Sequence, residues 1–298
     1  MKLLGLGDNV WDLYLHTGMM YPGGQALNVA VNAAKLGAAA GFLGVFGTDT
    51  LARYVQKILT MEGVEFSRCR RFPGENGYAK VTLQGGERIF LGSNRGGVLQ
   101  THPICLNQDD LDYCSTFQII HTSNNSFLDD QLPKLARLSA LVSYDFSETW
   151  KDPERVRRVL PYIDIAFLSG SSLSREQADS LAQTLIDNGQ PLVCITRGTE
   201  SALVYDHLFC LAQAPRLVHA VDTMGAGDSF AACLLVKIGR ALEREGLSCW
   251  KDTSFRRRLL QTALPAAADW SAETCMITGA FGHGTAIPEE IAQKEVSS

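Results

Sequence analysis

The stretch Asp222-Thr-Met-Gly225-Ala-Gly227-Asp228-Ser-Phe230 sets a carboxylate directly behind three residues with almost no side chain and directly ahead of an apolar run. Small residues at Gly225, Ala226 and Gly227 let a ligand approach the backbone, and successive N–H groups at a helix start can receive the negative charge of a phosphate. Asp228 then stands in the first turn of a helix expected over 229–244. There its carboxylate can accept a proton from an alcohol while the N–H groups hold a transferred phosphoryl group. Taken alone, the turn fits two roles: a helix cap behind a tight turn, or this phosphoryl chemistry. Other phosphate-binding patterns find no support. The chain has no G-x-x-x-x-G-K-[ST] loop, and no G-x-G-x-x-G follows the first expected strand.

Such a turn needs a framework. Apolar runs at 3–6, 41–46, 117–121, 141–144, 163–168 and 192–196 read as buried strands. Between them lie helical segments, among them 25–36, which is rich in alanine and ends at Gly37, and 50–61, which follows a Thr48 or Asp49 cap and ends before Gly63. Strands alternating with helices imply a mainly parallel sheet covered on both faces, an α/β/α sandwich. The rhythm breaks at 78–91, where two short strands flank a Gly85-Gly86 turn as a hairpin. With residues around 11–22, the segment 76–98 is expected to form a small β lid on one domain spanning 1–298.

Composition bounds the partners. The chain is 298 residues long, 46% hydrophobic and 20% charged, with a formal net charge of -5, so it offers no general attraction to nucleic acid. Arg256-Arg257-Arg258 reads as a solvated helix face. The eight cysteines form no C-x-x-C pair and no Cys/His cluster, and several sit in apolar runs as small core residues. The apolar stretches are too short and interrupted to span a membrane, and the start carries no signal-peptide run, so a reducing cytoplasm is the expected location.

The turn resembles the PfkB/ribokinase signature D-T-x-G-A-G-D-x-F, matched at Asp222, Thr223, Gly225, Ala226, Gly227, Asp228 and Phe230. A second signature of that family is similar to Gly23-Gly24 with Asn28 and "LGAAAGFLGVFGTD" at 36–49. Shorter motifs, "GDNVWDLY" (7–14), "GGQALNVAV" (23–31), "YDFSETW" (144–150) and "GAFG" (279–282), most resemble the fructoselysine-directed branch.

The resemblance implies a ribokinase-like fold and a kinase that uses Mg²⁺ and ATP on a hydroxyl of a sugar or sugar derivative, such as the 6-hydroxyl of fructoselysine. A nucleoside or vitamin kinase and a non-catalytic sugar- or nucleotide-binding regulator are the alternatives. Asp228 is the implied base and Gly225–Gly227 the anion hole. Asn9, Asp12, Gly24 and Asn28 suit sugar hydroxyls; by residue type alone, with no family motif behind it, the lid residues Asn94 and Arg95 can close over the substrate, Arg95 as a contact for an anionic group or a phosphate. Thr196 and Gly198 match a nucleotide motif T-x-G-x-x-G whose last glycine is replaced by Ser201. The family's N-x-x-E is absent, "SGSS" at 169–172 standing at that strand end. Asp145 either positions Mg²⁺ through water or caps the next segment, while Asp222 and Thr223 shape the turn and can offer carbonyls to a monovalent cation. Exposed lid edges suggest a homodimer.

Overall fold

Apolar side chains continue through the buried strands with no polar alternation, the pattern of a sheet packed on both faces. The structure is a computed structural model and describes residues 1–84, 87–189 and 192–292; the expected Gly85-Gly86 turn lies outside the described residues. In chain order the strands are β1 (Lys2–Gly7), β2 (Val10–Tyr14), β3 (Met19–Gly23), β4 (Ala39–Phe46), β5 (Arg70–Arg71), β6 (Gly77–Gln84) and β7 (Glu87–Ser93). There follow β8 (Ile119–Ser123), β9 (Leu141–Asp145), β10 (Ile165–Ser169), β11 (Leu192–Arg197), β12 (Glu200–Asp206), β13 (Phe209–Gln213) and β14 (Thr285–Ala286).

Nine strands form one sheet in the order β13-β12-β11-β10-β9-β8-β1-β4-β5, parallel from β11 to β5 and antiparallel at β12 and β13. Successive residues feed two separate cores. Leu3, Ile119, Leu141, Ile165 and Phe167 enter one, whereas Leu4, Ile120, Val142, Ala166 and Leu168 enter the other. The first core is covered by the helices Gln25–Lys35, Thr50–Met61, Ala226–Glu245 and Thr253–Thr274, and the second chiefly by Arg175–Gly189 and shorter helices. The three layers follow from period-2 side chains buried on both faces.

Asp49 is the cap of the Thr50–Met61 helix, accepting the Ala52 N–H at 2.9 Å. The Ala226–Glu245 helix begins earlier than expected because Gly225, at φ 72°, takes the left-handed cap position and lets Ala226 and Gly227 become helical. One surface expectation needs correction. Arg257 and Arg258 are exposed, but Arg256 folds inward, its Nε donating to the buried Asp206 carboxylate at 2.6 Å and its guanidinium lying over the Trp250 ring. The helix period turns one arginine of three toward its neighbours.

A second sheet of five strands has the order β14-β3-β2-β6-β7, with β2 and β6 parallel and the other pairs antiparallel. β14 joins it from the far end of the chain, pairing Thr285 with Met20 and Ala286 with Met19. The segment that brings it passes Tyr21 so closely that a Cβ at Gly279 or Gly284 would lie 2.7 or 2.4 Å from that side chain.

Candidate active site

The order of the large sheet reverses at β1, which leads on one side to β4 and on the other to β8, and open α/β sheets bind ligands beyond the carboxyl ends of strands at such a point. Asp8 follows β1 there. Its carboxylate accepts the Gln25 N–H at 2.7 Å and the Ala26 N–H at 3.1 Å, and also the Ser123 and Ser126 hydroxyls at 2.9 and 3.0 Å. One buried side chain therefore caps the Gln25–Lys35 helix and fixes the end of β8. The backbone at Gly24 turns back over this junction at φ 107°, where a Cβ would meet the Asp8 carbonyl oxygen at 2.8 Å.

Asn28 lies one turn into that helix, buried, and donates its Nδ2 to Asp228 Oδ2 at 2.6 Å. Its Oδ1 is buried without a protein partner. Asp228 is half-buried, and desolvation, followed by the negative charge of Asp145 and lesser contributions from Asp8 and Asp12, pushes its carboxyl up to about 8 although the Asn28 hydrogen bond works the other way. Asp145, at the end of β9, is itself raised by burial to about 6 and accepts the Ser147 N–H at 2.6 Å. Perturbed carboxyls gathered in one cleft mark a place where protons are handled.

The two glycines of the turn answer to different demands. A Cβ at Gly225 would lie 2.4 Å from that of Ala280, whereas one at Gly227 would meet nothing within 4 Å. Gly225 is required by packing and by its left-handed backbone; Gly227 leaves space at a helix start, one residue after Ala226, whose N–H donates to the Thr223 carbonyl at 3.3 Å. Asp222 secures the turn from behind. Its carboxylate accepts the Met224 N–H at 3.0 Å, the Gly279 N–H at 2.9 Å and the Tyr14 hydroxyl at 2.7 Å, joining the turn to β2 of the smaller sheet.

A cavity of about 660 Å³ opens on the Asp228 side, between the sheets, and one of about 410 Å³ on the Gly227 side. Asp12, Gly24, Asn28 and Arg95 line the first together with Asp228; Thr196, Gly198, Thr223, Ala226 and Gly227 line the second. The turn is the partition between them. Asn9 is placed elsewhere: its Nδ2 donates to the Val45 carbonyl at 2.9 Å and its Oδ1 accepts from Asn76 at 2.8 Å, so it ties strand ends together. Asn94 is likewise engaged, accepting the Tyr78 N–H at 2.8 Å and donating to the Asn76 carbonyl at 2.8 Å.

Ser201 sits on β12 between Glu200 and Ala202, the two residues of its immediate neighbourhood that face the second cavity. Ser169 ends β10, and Gly170 donates to the Thr196 carbonyl at 2.8 Å, placing "SGSS" beside the nucleotide motif. Sequence reasoning passed over Asp8, Gln25, Tyr14, Phe90 and Phe127. Asp8 was legible as a capping residue ahead of a helix only if Gly24, far along the chain, was known to fold back on it.

Among the described residues, no group of three His, Cys, Asp or Glu side chains is arranged to hold a metal ion. The donor set, with Asp145 buried near Asp228, instead fits an ion held largely by phosphate oxygens and water. Among the same residues no helix is long and apolar enough to cross a membrane.

Fold and site together define a small-molecule kinase of ribokinase-like architecture. Sequence comparison carries this further: the pfkB family carbohydrate kinase profile matches residues 12–247. The chain belongs to that family. It is 38% identical over 292 residues to fructosamine kinase FrlD of Bacillus subtilis (strain 168), covering 95% of this chain and 94% of the relative. It is 30% identical over 236 residues to fructoselysine 6-kinase of Escherichia coli (strain K12), covering 79% of this chain and 88% of the relative. A fructokinase from Xylella fastidiosa solved with bound ATP superposes with a TM-score of 0.75 at 22% identity, covering 94% of each chain.

Proposed function

We propose that this carbohydrate kinase transfers the γ-phosphoryl group of ATP to a hydroxyl of a fructosamine, fructoselysine and its 6-hydroxyl being the reference acceptor. The observation that carries the reading is the partition: one glycine turn separates a carboxylate-lined cavity from one with the nucleotide motif, and presents Asp228 to the first and Gly227 to the second. The two similar kinases named for fructosamine and fructoselysine supply the acceptor class.

In this reading the acceptor hydroxyl lies against Asp228, held in place by the bond from Asn28, and gives its proton to that carboxylate as its oxygen attacks the γ-phosphorus and the bond from that phosphorus to the bridging oxygen breaks, releasing ADP. The N–H groups of the first helical turn receive the charge of the phosphoryl group in flight. Transfer of this kind has a loose transition state, so positioning by Asp12, Gly24 and Asn28 contributes more than base strength. Mg²⁺, when bound, supplies charge neutralisation on the phosphates, with Asp145 the residue to hold it through water. Asp222 acts through its grip on the turn, and the carbonyls of Asp222 and Thr223 are the place for a monovalent cation. The β7 edge, with Leu91 exposed, suits pairing with a second copy, and exposed thiols at Cys105 and Cys210 suit a reducing cytoplasm.

The test is turnover with Mg-ATP across fructoselysine, other fructosamines, simple ketoses and nucleosides, read as ADP formed. Fructosamines are expected to exceed ketoses and nucleosides in kcat/KM by about 10-fold or more. Preference for a nucleoside or a bare ketose rejects the acceptor assignment.

A further inference from the structure

The larger cavity changes character from floor to mouth. Its floor carries Asp228, Asn28 and Asp12, whereas its mouth carries Phe90, Phe127 and Arg95. Both residues are exposed, Phe90 by 61% and Phe127 by 42%. Exposed aromatics around a polar cleft are surface held ready for an apolar partner.

The backbone of this mouth is unusual. Arg95 at φ 55° and Phe127 at φ 53° are two of only four described non-glycine residues in the left-handed region. Bulky residues adopt it only at a cost in backbone strain, and such strain collects at ligand clamps. Here it is held from several sides. The Arg95 N–H donates to Ser93 Oγ at 3.1 Å, and the adjoining Asn94 is bonded at both ends of its amide. Ser126, next to Phe127, donates to Asp8 at 3.0 Å, and the Asn125 side chain donates to Gln25 at 3.0 Å. The two turns also touch, since a Cβ on Gly96 would come within 3.4 Å of the Phe127 ring.

A hexose phosphorylated at Asp228 leaves this mouth unused. A nucleoside could stack a base on the rings but brings no anion to the guanidinium. Fructoselysine is a ketose joined through the side-chain amine of lysine, so its far end has an apolar stem of methylenes and then a carboxylate, with an ammonium on the same carbon. We propose that Phe90, Phe127 and Arg95 form the subsite for the amino-acid portion of the acceptor, the rings flanking its side chain and the Arg95 guanidinium pairing with its carboxylate. The assignment rests on the fructosamine reading and adds the basis of its selectivity. The arrangement is also complementary in charge: acidic side chains surround the sugar and the linking amine, and the cation stands at the outer end, where the carboxylate arrives.

The experiment compares fructoselysine with its carboxamide, which keeps every atom but the anionic oxygen, in the wild type, Arg95→Gln and Phe127→Leu, each confirmed folded by its thermal transition. The wild type should favour the carboxylate by about 10-fold or more in kcat/KM, the range of a charge-assisted hydrogen bond. In Arg95→Gln that ratio should fall to within about 2-fold, the change residing in the KM of the acceptor and not in that of ATP. Phe127→Leu should weaken both acceptors while keeping the ratio. A wild-type ratio near one, or a ratio that survives Arg95→Gln, overturns the subsite while turnover of fructoselysine leaves the kinase assignment standing. Absence of turnover on every fructosamine, with a ketose or nucleoside accepted, removes both.

Discussion

The two cavities on either side of the glycine turn are built in opposite ways. On the acceptor side, buried polar groups hold one another: Asp8 accepts from two backbone amides and two hydroxyls, and Asn28 donates to Asp228. On the nucleotide side the wall includes a stretch at 214–222 without helix or strand, where Leu217 is 71% exposed and Arg216 pairs at the surface with Glu273 at 2.6 Å and Asp269 at 3.8 Å. The acceptor side is set before any ligand arrives, because carboxylates stripped of water must be fixed by hydrogen bonds or lose their charge. The other side, where the nucleotide is proposed to bind, is lined by Arg197, Glu200, Arg216 and several threonines together with backbone and apolar surface, and its ligand would bring its own charges. Both departures from the family pattern, Ser201 and "SGSS", fall on this more permissive side.

The contrast breaks most completely at Asp228. Asp228→Asn should lower kcat by about 10²–10⁴-fold, and near-normal turnover by a folded variant would reject its role as base. The same variant should gain stability relative to wild type as pH rises. The wild-type carboxyl binds its proton more tightly folded than unfolded, so its contribution is whole below about pH 4 and is lost as pH climbs through about 8. Asparagine has no proton to lose, and thermal melts between pH 5 and 9 should therefore diverge upward for the variant.

Next come the paired glycines. Gly227→Ala adds a methyl into open space, so its melting temperature should hold while kcat falls by about 100-fold, the methyl standing where the phosphoryl group must pass. Gly225→Ala drives a Cβ into Ala280 from a left-handed backbone and should cost about 3 kcal/mol of stability. If both variants lose stability equally, the separate reasons for the two glycines collapse.

The pH profile sharpens the account of the acceptor side. Asp228 accepts a proton only when ionised, and its carboxyl is raised to about 8, so kcat/KM should rise about tenfold per pH unit toward pH 8 and level off beyond. A flat profile from pH 6 to 9 speaks against it. The smallest effect belongs to the nucleotide side. Thr196→Val removes a hydroxyl that donates to the Leu168 carbonyl at 3.3 Å and should raise the KM for ATP by about three- to tenfold, with the KM for acceptor unmoved.

Much of the frame was legible because it depends on periodicity. The helix Thr50–Met61 carries its cap and its apolar stripe in its own residues, and β8 to β11 announce themselves by unbroken apolar runs. The two-residue strands β5 and β14 have no period to read, and each forms only because a neighbour offers an edge. At the site, the glycine turn stood out because its composition is local, whereas Asp8 and Tyr14 act on partners distant in sequence. Asn9 shows the converse: an amide after a strand suits a sugar hydroxyl by type, yet its partners are Val45 and Asn76. Residue type specifies what a side chain can bond, and only the fold specifies what stands opposite.

The pairing of β14 with β3 also has a bearing on the order of assembly. Met19 and Met20 leave the ribosome long before Thr285 and Ala286, and the edge they present to β14 stays open until those two residues have been synthesised. Closing it joins residues far apart in sequence, a slow, late step compared with forming the local β2–β3 pair. A nascent chain stalled after the Thr253–Thr274 helix would hold its nucleotide motif and glycine turn but carry an unclosed strand beside the acceptor cavity.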